Sequence, residues 1–316
     1  MKNRLLLGAV CTAAFLSLNA STAEFAPKTF GYVLQADSLN KNRAEAVKAL
    51  ATCDRDLLVL DANFTGGKGG AWTRTELASI RAARTGRRIV AYLSIGEAGD
   101  YRDYWRNDWV RSGQHMPGAP AWLCAPNPDW KGNYRVKYWH AEWQGIMLRA
   151  LDGIVAADFD GVYLDIVDGF EFFEQDGKKF IDDRANVETK QSYRRDMVAW
   201  VLKLAKHARA ARPGFLVIPQ NGSQLLAHAD FVAAVDAIGI EDLFTNGNKA
   251  QPKSHTSFTL ANLKPLKAAG KPVLVIEYST QAKLQQIARD QAREHELVLL
   301  LTDRQLKTLG QSRASQ

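Results

Sequence analysis

Hydrophobic positions in this chain fall into eight short runs separated by longer amphipathic stretches. The runs cover residues 30–36, 57–63, 88–95, 161–167, 215–221, 237–243, 272–279 and 297–303. Short apolar runs rich in Val, Ile and Leu and bounded by turn residues predict strands buried on both faces, as in a parallel sheet. Residues 42–51, 73–85, 139–157, 190–211, 259–269 and 281–294 carry apolar side chains at helical spacing. Thr73 with Glu76 three positions on is a capping box, and Gly86, Gly214 and Gly270 stand where helices stop. Strand–helix alternation repeated eight times predicts an α/β fold, a closed (β/α)8 TIM barrel. The alternative is a doubly wound open sheet, but no Gly-rich phosphate loop follows the first run. With no linker composition, repeat or low-complexity block, residues 24–316 are expected to form one domain.

Six of the hydrophobic segments close on acids: Asp61, Glu97, Asp165 with Asp168, Glu241 with Asp242, Glu277 and Asp303. Charge at the rim of a buried sheet is costly unless it is paired or serves chemistry, so the pattern predicts an acidic pocket at the carboxyl ends of the strands. Side-chain parity sharpens this expectation. In the fourth run Val162, Leu164 and Ile166 form the helix-facing set, leaving Gly161, Tyr163 and Asp165 inward. In the sixth, Ile238 and Ile240 face the helices, and Ala237, Gly239 and Glu241 point inward. Strands four and six share a layer, so Asp165 and Glu241 should face each other across the mouth, with Ala237 and Gly239 leaving room below.

A facing carboxylate pair is the equipment of glycoside hydrolysis, one acid ionised and the other protonated. Asp61, Glu97, Asp100, Asp168, Gln220, Asn221 and Glu277 offer acceptors and amides for sugar hydroxyls. Tyr92 closes the same group, and Tyr101, Trp105, Trp139 and Tyr278 offer flat faces for sugar rings. The aromatic stretch from Gly96 to Trp139 is long for a connecting loop and is expected over the mouth. A non-catalytic polysaccharide-binding barrel and a metal hydrolase built on Asp61, Glu97 and Asp165 are the alternatives. The six histidines show no His-Glu-x-x-His spacing, no Gly-x-Ser-x-Gly elbow occurs, and Cys53 and Cys124 lack an obvious His partner. No cofactor and no metal are expected.

The first 23 residues read as a signal peptide, with basic Lys2 and Arg4, an apolar stretch over 5–18 and small residues Ser21-Thr22-Ala23. The apolar stretch is short for a bilayer span. The mature protein is therefore expected to be exported, either secreted or periplasmic, with no membrane span. Net charge is +7, and the basic residues are spread over helix faces without a nucleic-acid-binding module. No dedicated association segment is evident, so a monomer is expected. Cys53 and Cys124 are expected at opposite ends of the barrel, which argues against a bridge between them.

Three segments carry a resemblance: Tyr92-Leu-Ser-Ile-Gly-Glu97-Ala-Gly-Asp100-Tyr-Arg-Asp-Tyr-Trp105, Tyr138-Trp-His-Ala-Glu-Trp143-Gln and Asp158-Phe-Asp-Gly-Val-Tyr-Leu-Asp165-Ile-Val-Asp168. Together they resemble glycoside hydrolase family 114, endo-α-1,4-polygalactosaminidases on a (β/α)8 barrel, over about residues 30–303. The resemblance implies a retaining endo-hydrolase of galactosamine-containing exopolysaccharide, with Asp165 matching the nucleophile and Glu241 the general acid/base. It also implies that Asp61, Glu97, Asp100 and Asp168 fall in or near an acidic groove suited to an ammonium-bearing sugar. His140 departs from the pattern, standing where Asp or Pro is expected.

Overall fold

The computed structural model describes residues 25–313. Eight parallel strands run through it: β1 (Phe30–Val33), β2 (Leu57–Asp61), β3 (Arg88–Ser94), β4 (Gly161–Asp165), β5 (Leu216–Pro219), β6 (Ile238–Glu241), β7 (Val273–Glu277) and β8 (Val298–Leu301). They pair in sequence order from β1 to β5 and from β6 to β8. A parallel bridge between Gln220 and Gly239 joins β5 to β6. The circuit closes through β9 (Gln311–Arg313), which runs antiparallel to β8, while the Phe30 amide donates to Ser312 Oγ at 3.1 Å. The result is the TIM barrel read from the hydrophobic pattern.

The outer ring is formed by α1 (Arg43–Thr52), α2 (Arg74–Ala82), α3 (Ala141–Ala156), α4 (Tyr193–Ala211), α5 (Ala229–Ala234), α6 (Lys253–Asn262) and α7 (Ala282–Glu294). The capping box at Thr73 and Glu76 is present at the start of α2. The helical stretch expected over 259–269 begins earlier than its apolar spacing suggests, at Lys253, and breaks before a second short helix at Lys264–Ala268. Pro265 sits in that second helix's first turn, where its missing N–H costs nothing.

Strand parity sorts the core into two layers. Leu58, Leu60, Ile89, Ala91, Val162, Leu164, Val217, Ile238, Ile240, Val273 and Val275 pack outward against the helices. Phe30, Tyr32, Val59, Val90, Tyr92, Tyr163, Ile218, Ala237, Leu274, Ile276 and Leu300 fill the barrel. Ile166 does not continue the outward set. Strand β4 stops at Asp165, and Ile166 has a left-handed backbone with φ of 57°. The space expected beneath Glu241 is filled: a Cβ on Gly239 would lie 1.7 Å from the Tyr163 hydroxyl. Gly239 therefore makes room for a phenol in the barrel rather than for a ligand.

The long stretch after β3 is structured. Glu97–Gly99, Asn133–Val136 and Leu123–Pro126 form a three-stranded antiparallel sheet. Trp105 is stacked on Tyr134 at 4.7 Å, and Trp109 and Trp122 continue the contact to Trp143 of α3. Trp105 is thus a packing residue and not a sugar platform. Both Cys53, at the end of α1, and Cys124, in this added sheet, are free thiols. The proposed signal segment, residues 1–23, lies outside the described residues. Among the described residues no helix is long and apolar enough to cross a membrane.

Candidate active site

Asp165 ends β4 and Glu241 ends β6, and the end of β5 between them contributes Gln220. The Gln220 side-chain amide donates to Asp165 Oδ1 at 3.1 Å and to Glu241 Oε2 at 2.7 Å. One nitrogen therefore touches both acids, and the two oxygens lie less than twice the longer distance apart. Parity brings the pair to one layer, and Gln220 fixes the gap.

Each acid has further neutral donors. Asp165 Oδ2 accepts from the Tyr92 hydroxyl at 2.6 Å, and Oδ1 accepts from the Ile166 amide at 2.8 Å. Glu241 Oε1 accepts from the Tyr278 hydroxyl, and Asn221 Nδ2 reaches Oε2 at 3.5 Å. Asn221 also accepts the Glu241 backbone amide through Oδ1 at 3.1 Å. The residues directly after Asp165, Gln220 and Glu241, namely Ile166, Asn221 and Asp242, all have left-handed backbone, with φ of 57°, 60° and 51°. That conformation is costly for a β-branched residue such as Ile166, and strain of this kind gathers at functional sites. The Ser94-to-Glu97 turn packs tightly on this residue, since a Cβ on Gly96 would meet the Ile166 carbonyl at 2.2 Å.

Electrostatics separate the two acids. Burial raises the Glu241 carboxyl to about 7, and the Asp165 charge, next in weight, pushes the same way. Burial also raises Asp165, but the Tyr92 and Ile166 hydrogen bonds oppose it by stabilising the ionised form. Asp168, just beyond β4, is held well above the usual carboxylate range by burial and by the charges of Glu171, Asp165 and Glu241. Glu97 is raised by burial, with Asn127 donating to Oε1 at 2.8 Å in opposition. Its Oε2 is buried with no hydrogen-bond partner among the described residues.

The other anticipated residues divide. Asp100 and Tyr101 lie at the rim, Tyr101 being 40% exposed with the Arg102 guanidinium 5.2 Å from its ring. Asp61 is not open to a ligand, because Arg102 clamps it with two hydrogen bonds at 3.0 and 2.6 Å. Trp139 is not at the mouth. Its ring packs on Tyr138, Phe173 and Tyr193, and its indole N–H donates to Glu188. Glu277 is fully buried and accepts from the Phe244 and Thr245 amides and the Thr245 hydroxyl, which fixes the turn after β6. Tyr278 and Tyr92 serve the carboxylates through their hydroxyls, and the face of Tyr278 is covered by Arg304, 4.1 Å from its centroid. His140 caps α3, its Nδ1 accepting the Glu142 amide at 3.3 Å, which accounts for a short polar acceptor being tolerable there. Arg102 and Arg304 escaped sequence reasoning because neither ends a hydrophobic run.

A cavity of about 410 Å3 lies between α3 and the end of β3 with the loop that follows it, lined among others by Tyr92, Glu97, Tyr101, Arg102, Met147 and Ile154. Neither Asp165 nor Glu241 lines it. Among the described residues no three His, Cys, Asp or Glu side chains converge as ligands for one ion. The triad of Asp61, Glu97 and Asp165 considered for a metal is broken by the Arg102 clamp on Asp61.

Residues 15–316 match the model of glycoside-hydrolase family GH114. The chain belongs to that family. As a member it is a glycoside hydrolase. An uncharacterized protein of Deinococcus radiodurans is 37% identical over 264 residues, covering 83% of this chain and 78% of its own length. One from Methanocaldococcus jannaschii is 34% identical, covering 73% of this chain and 63% of its own length. Among solved structures, the glycoside hydrolase domain of PelA from Pseudomonas aeruginosa has a TM-score of 0.63 at 18% identity, over 91% of this chain and 99% of that one. Ega3 of Aspergillus fumigatus, in complex with galactosamine, has a TM-score of 0.57 at 19% identity, over 83% and 89%. At these identities the two structures attest the fold of this GH114 member.

Proposed function

We propose that this GH114 protein is an exported, endo-acting hydrolase of α-1,4-linked galactosamine-containing polysaccharide that retains anomeric configuration. The observation that carries the reading is the single Gln220 amide shared by Asp165 and Glu241. Retaining glycosidases hold their carboxyl groups about 5–5.5 Å apart, whereas inverting ones need roughly 6.5–9.5 Å to admit a water. The gap spanned by one amide nitrogen suits the shorter class.

Asp165 attacks the anomeric carbon. Glu241, kept protonated near neutral pH by burial and by the Asp165 charge, gives its proton to the leaving oxygen. It then takes a proton from the water that releases the glycosyl group from Asp165. Tyr92 and Gln220 orient the nucleophile, and Tyr278 and Asn221 orient the acid. The buried Glu97 and the half-buried Asp168 add negative charge beside this pair, and an ammonium-bearing sugar is the substrate such charge favours. The galactosamine bound by the similar Ega3 fold is consistent with that choice.

The test is a panel of amino-sugar polymers of graded acetylation, digested and read for new reducing ends and product mass. The reading expects internal cleavage of de-N-acetylated α-1,4-galactosaminan by wild type and none by Asp165→Asn. Tight binding without new ends from the wild type would make the protein a binding barrel instead.

A further inference from the structure

Arg304 follows β8 and belongs to no hydrophobic run, yet it reaches the acid of the pair by two routes. Its guanidinium is bidentate to Asp242, at 2.7 and 2.8 Å, and Asp242 is the strained residue directly after Glu241. The same guanidinium lies 4.1 Å from the centre of the Tyr278 ring, whose hydroxyl donates to Glu241. The arrangement leaves Arg304 partly open to solvent, at 41% side-chain exposure, while Asp242 is 19% exposed.

We propose that Arg304 is a positioning residue that sets the proton affinity of Glu241, by cancelling the Asp242 charge and by holding the Tyr278 phenol as a donor. The proposal rests on Glu241 being the acid/base. Two physical effects act together. An uncompensated Asp242 carboxylate beside Glu241 disfavours its ionisation, and a cation over a phenol ring strengthens the O–H as a donor to a carboxylate. Loss of the guanidinium therefore raises the Glu241 pKa twice over.

Other groups facing Glu241 set the background. They are Tyr32 from β1, Asp165 and Tyr163 from β4, Gln220 and Asn221 from the end of β5, Tyr278 beyond β7, and Asp168 across the mouth. Asp165 raises the Glu241 pKa, and Tyr278 lowers it through its hydrogen bond. Asp242 raises it further and Arg304 lowers it, so removing either member of that pair should move the titration in a known direction.

The experiment is a carboxyl-carbon NMR titration of Glu241, assigned by comparison with Glu241→Gln and run beside the pH profile of kcat/KM. Arg304→Met should move the Glu241 titration, and the basic limb with it, upward by about half a pH unit or more. Asp242→Asn should move both downward. The double variant should lie between the two single variants, above wild type only by the share that the Tyr278 phenol loses with its cation. Arg304→Lys, which keeps the charge, should shift less than Arg304→Met. Shifts of the same sign in Arg304→Met and Asp242→Asn, or no shift in either, overturn the proposal. Because the NMR titration needs no turnover, an inactive wild type refutes the glycosidase reading while leaving this inference tested on its own.

Discussion

The acids at the ends of β4 and β6 and those at the ends of β2, β7 and β8 arise from the same sequence pattern, an apolar run closing on a carboxylate. Their surroundings separate them. Asp61 is neutralised by the Arg102 fork. Glu277 takes three donors from Phe244 and Thr245, and Asp303 takes the Lys307 and Thr308 amides together with the Thr308 hydroxyl. Those three hold loops. Asp165 and Glu241 accept instead from the neutral side chains Tyr92, Gln220, Asn221 and Tyr278, which orient a carboxylate without cancelling its charge. An acid at a barrel rim is thus not a functional mark in itself. Two such acids with only neutral side-chain partners, sharing one amide, are the pair we propose for catalysis.

The comparison breaks most visibly by neutralising each kind of acid in turn. Glu241→Gln and Asp165→Asn should each lower kcat/KM by about a thousandfold or more while the chain stays folded, as circular dichroism and a thermal midpoint near wild type would report. Tyr92→Phe removes one donor from the nucleophile and should cost about ten- to a hundredfold in kcat/KM, the worth of a hydrogen bond to a charged group. A loss confined to KM would instead make Tyr92 a contact for bound sugar.

Glu277→Gln should act on stability. It puts an amide N–H2 against a backbone amide and should cost roughly 1–3 kcal/mol in denaturant unfolding, with kcat of the folded enzyme unchanged. The pH dependence follows from its proton. Burial lifts the folded Glu277 carboxyl to about 7, above the ~4.3 of an unfolded glutamate, so the folded chain binds the extra proton between those values. That contribution is full below the unfolded value and is lost as pH rises through about 7. Unfolding free energy measured from pH 4 to 8 should therefore fall less steeply in Glu277→Gln than in wild type.

Much of the barrel was legible because parity and alternation are properties of single positions. Val162 and Leu164 point outward and Tyr163 inward as their spacing requires, and Asp165 and Glu241 meet because β4 and β6 have the same parity. Legibility stopped where long-range partners decide the outcome. Nothing near Asp61 in the chain announces Arg102, and nothing near Glu241 announces Arg304 or the amide of Gln220. Trp139 reads as a sugar platform in sequence, but Phe173 and Tyr193 from distant segments enclose it. Strand ends were overestimated for a related reason. The left-handed turns at Ile166, Asn221 and Asp242 interrupt these runs at residues that are not themselves glycine.

The Gln220 amide shared by Asp165 and Glu241 suits the shorter carboxyl spacing of the proposed retaining mechanism, and the anomeric outcome tests that proposal directly. Proton NMR of the reducing ends first released from de-N-acetylated α-1,4-galactosaminan should show the α-anomer before mutarotation. Initial release of the β-anomer would contradict a direct attack by Asp165.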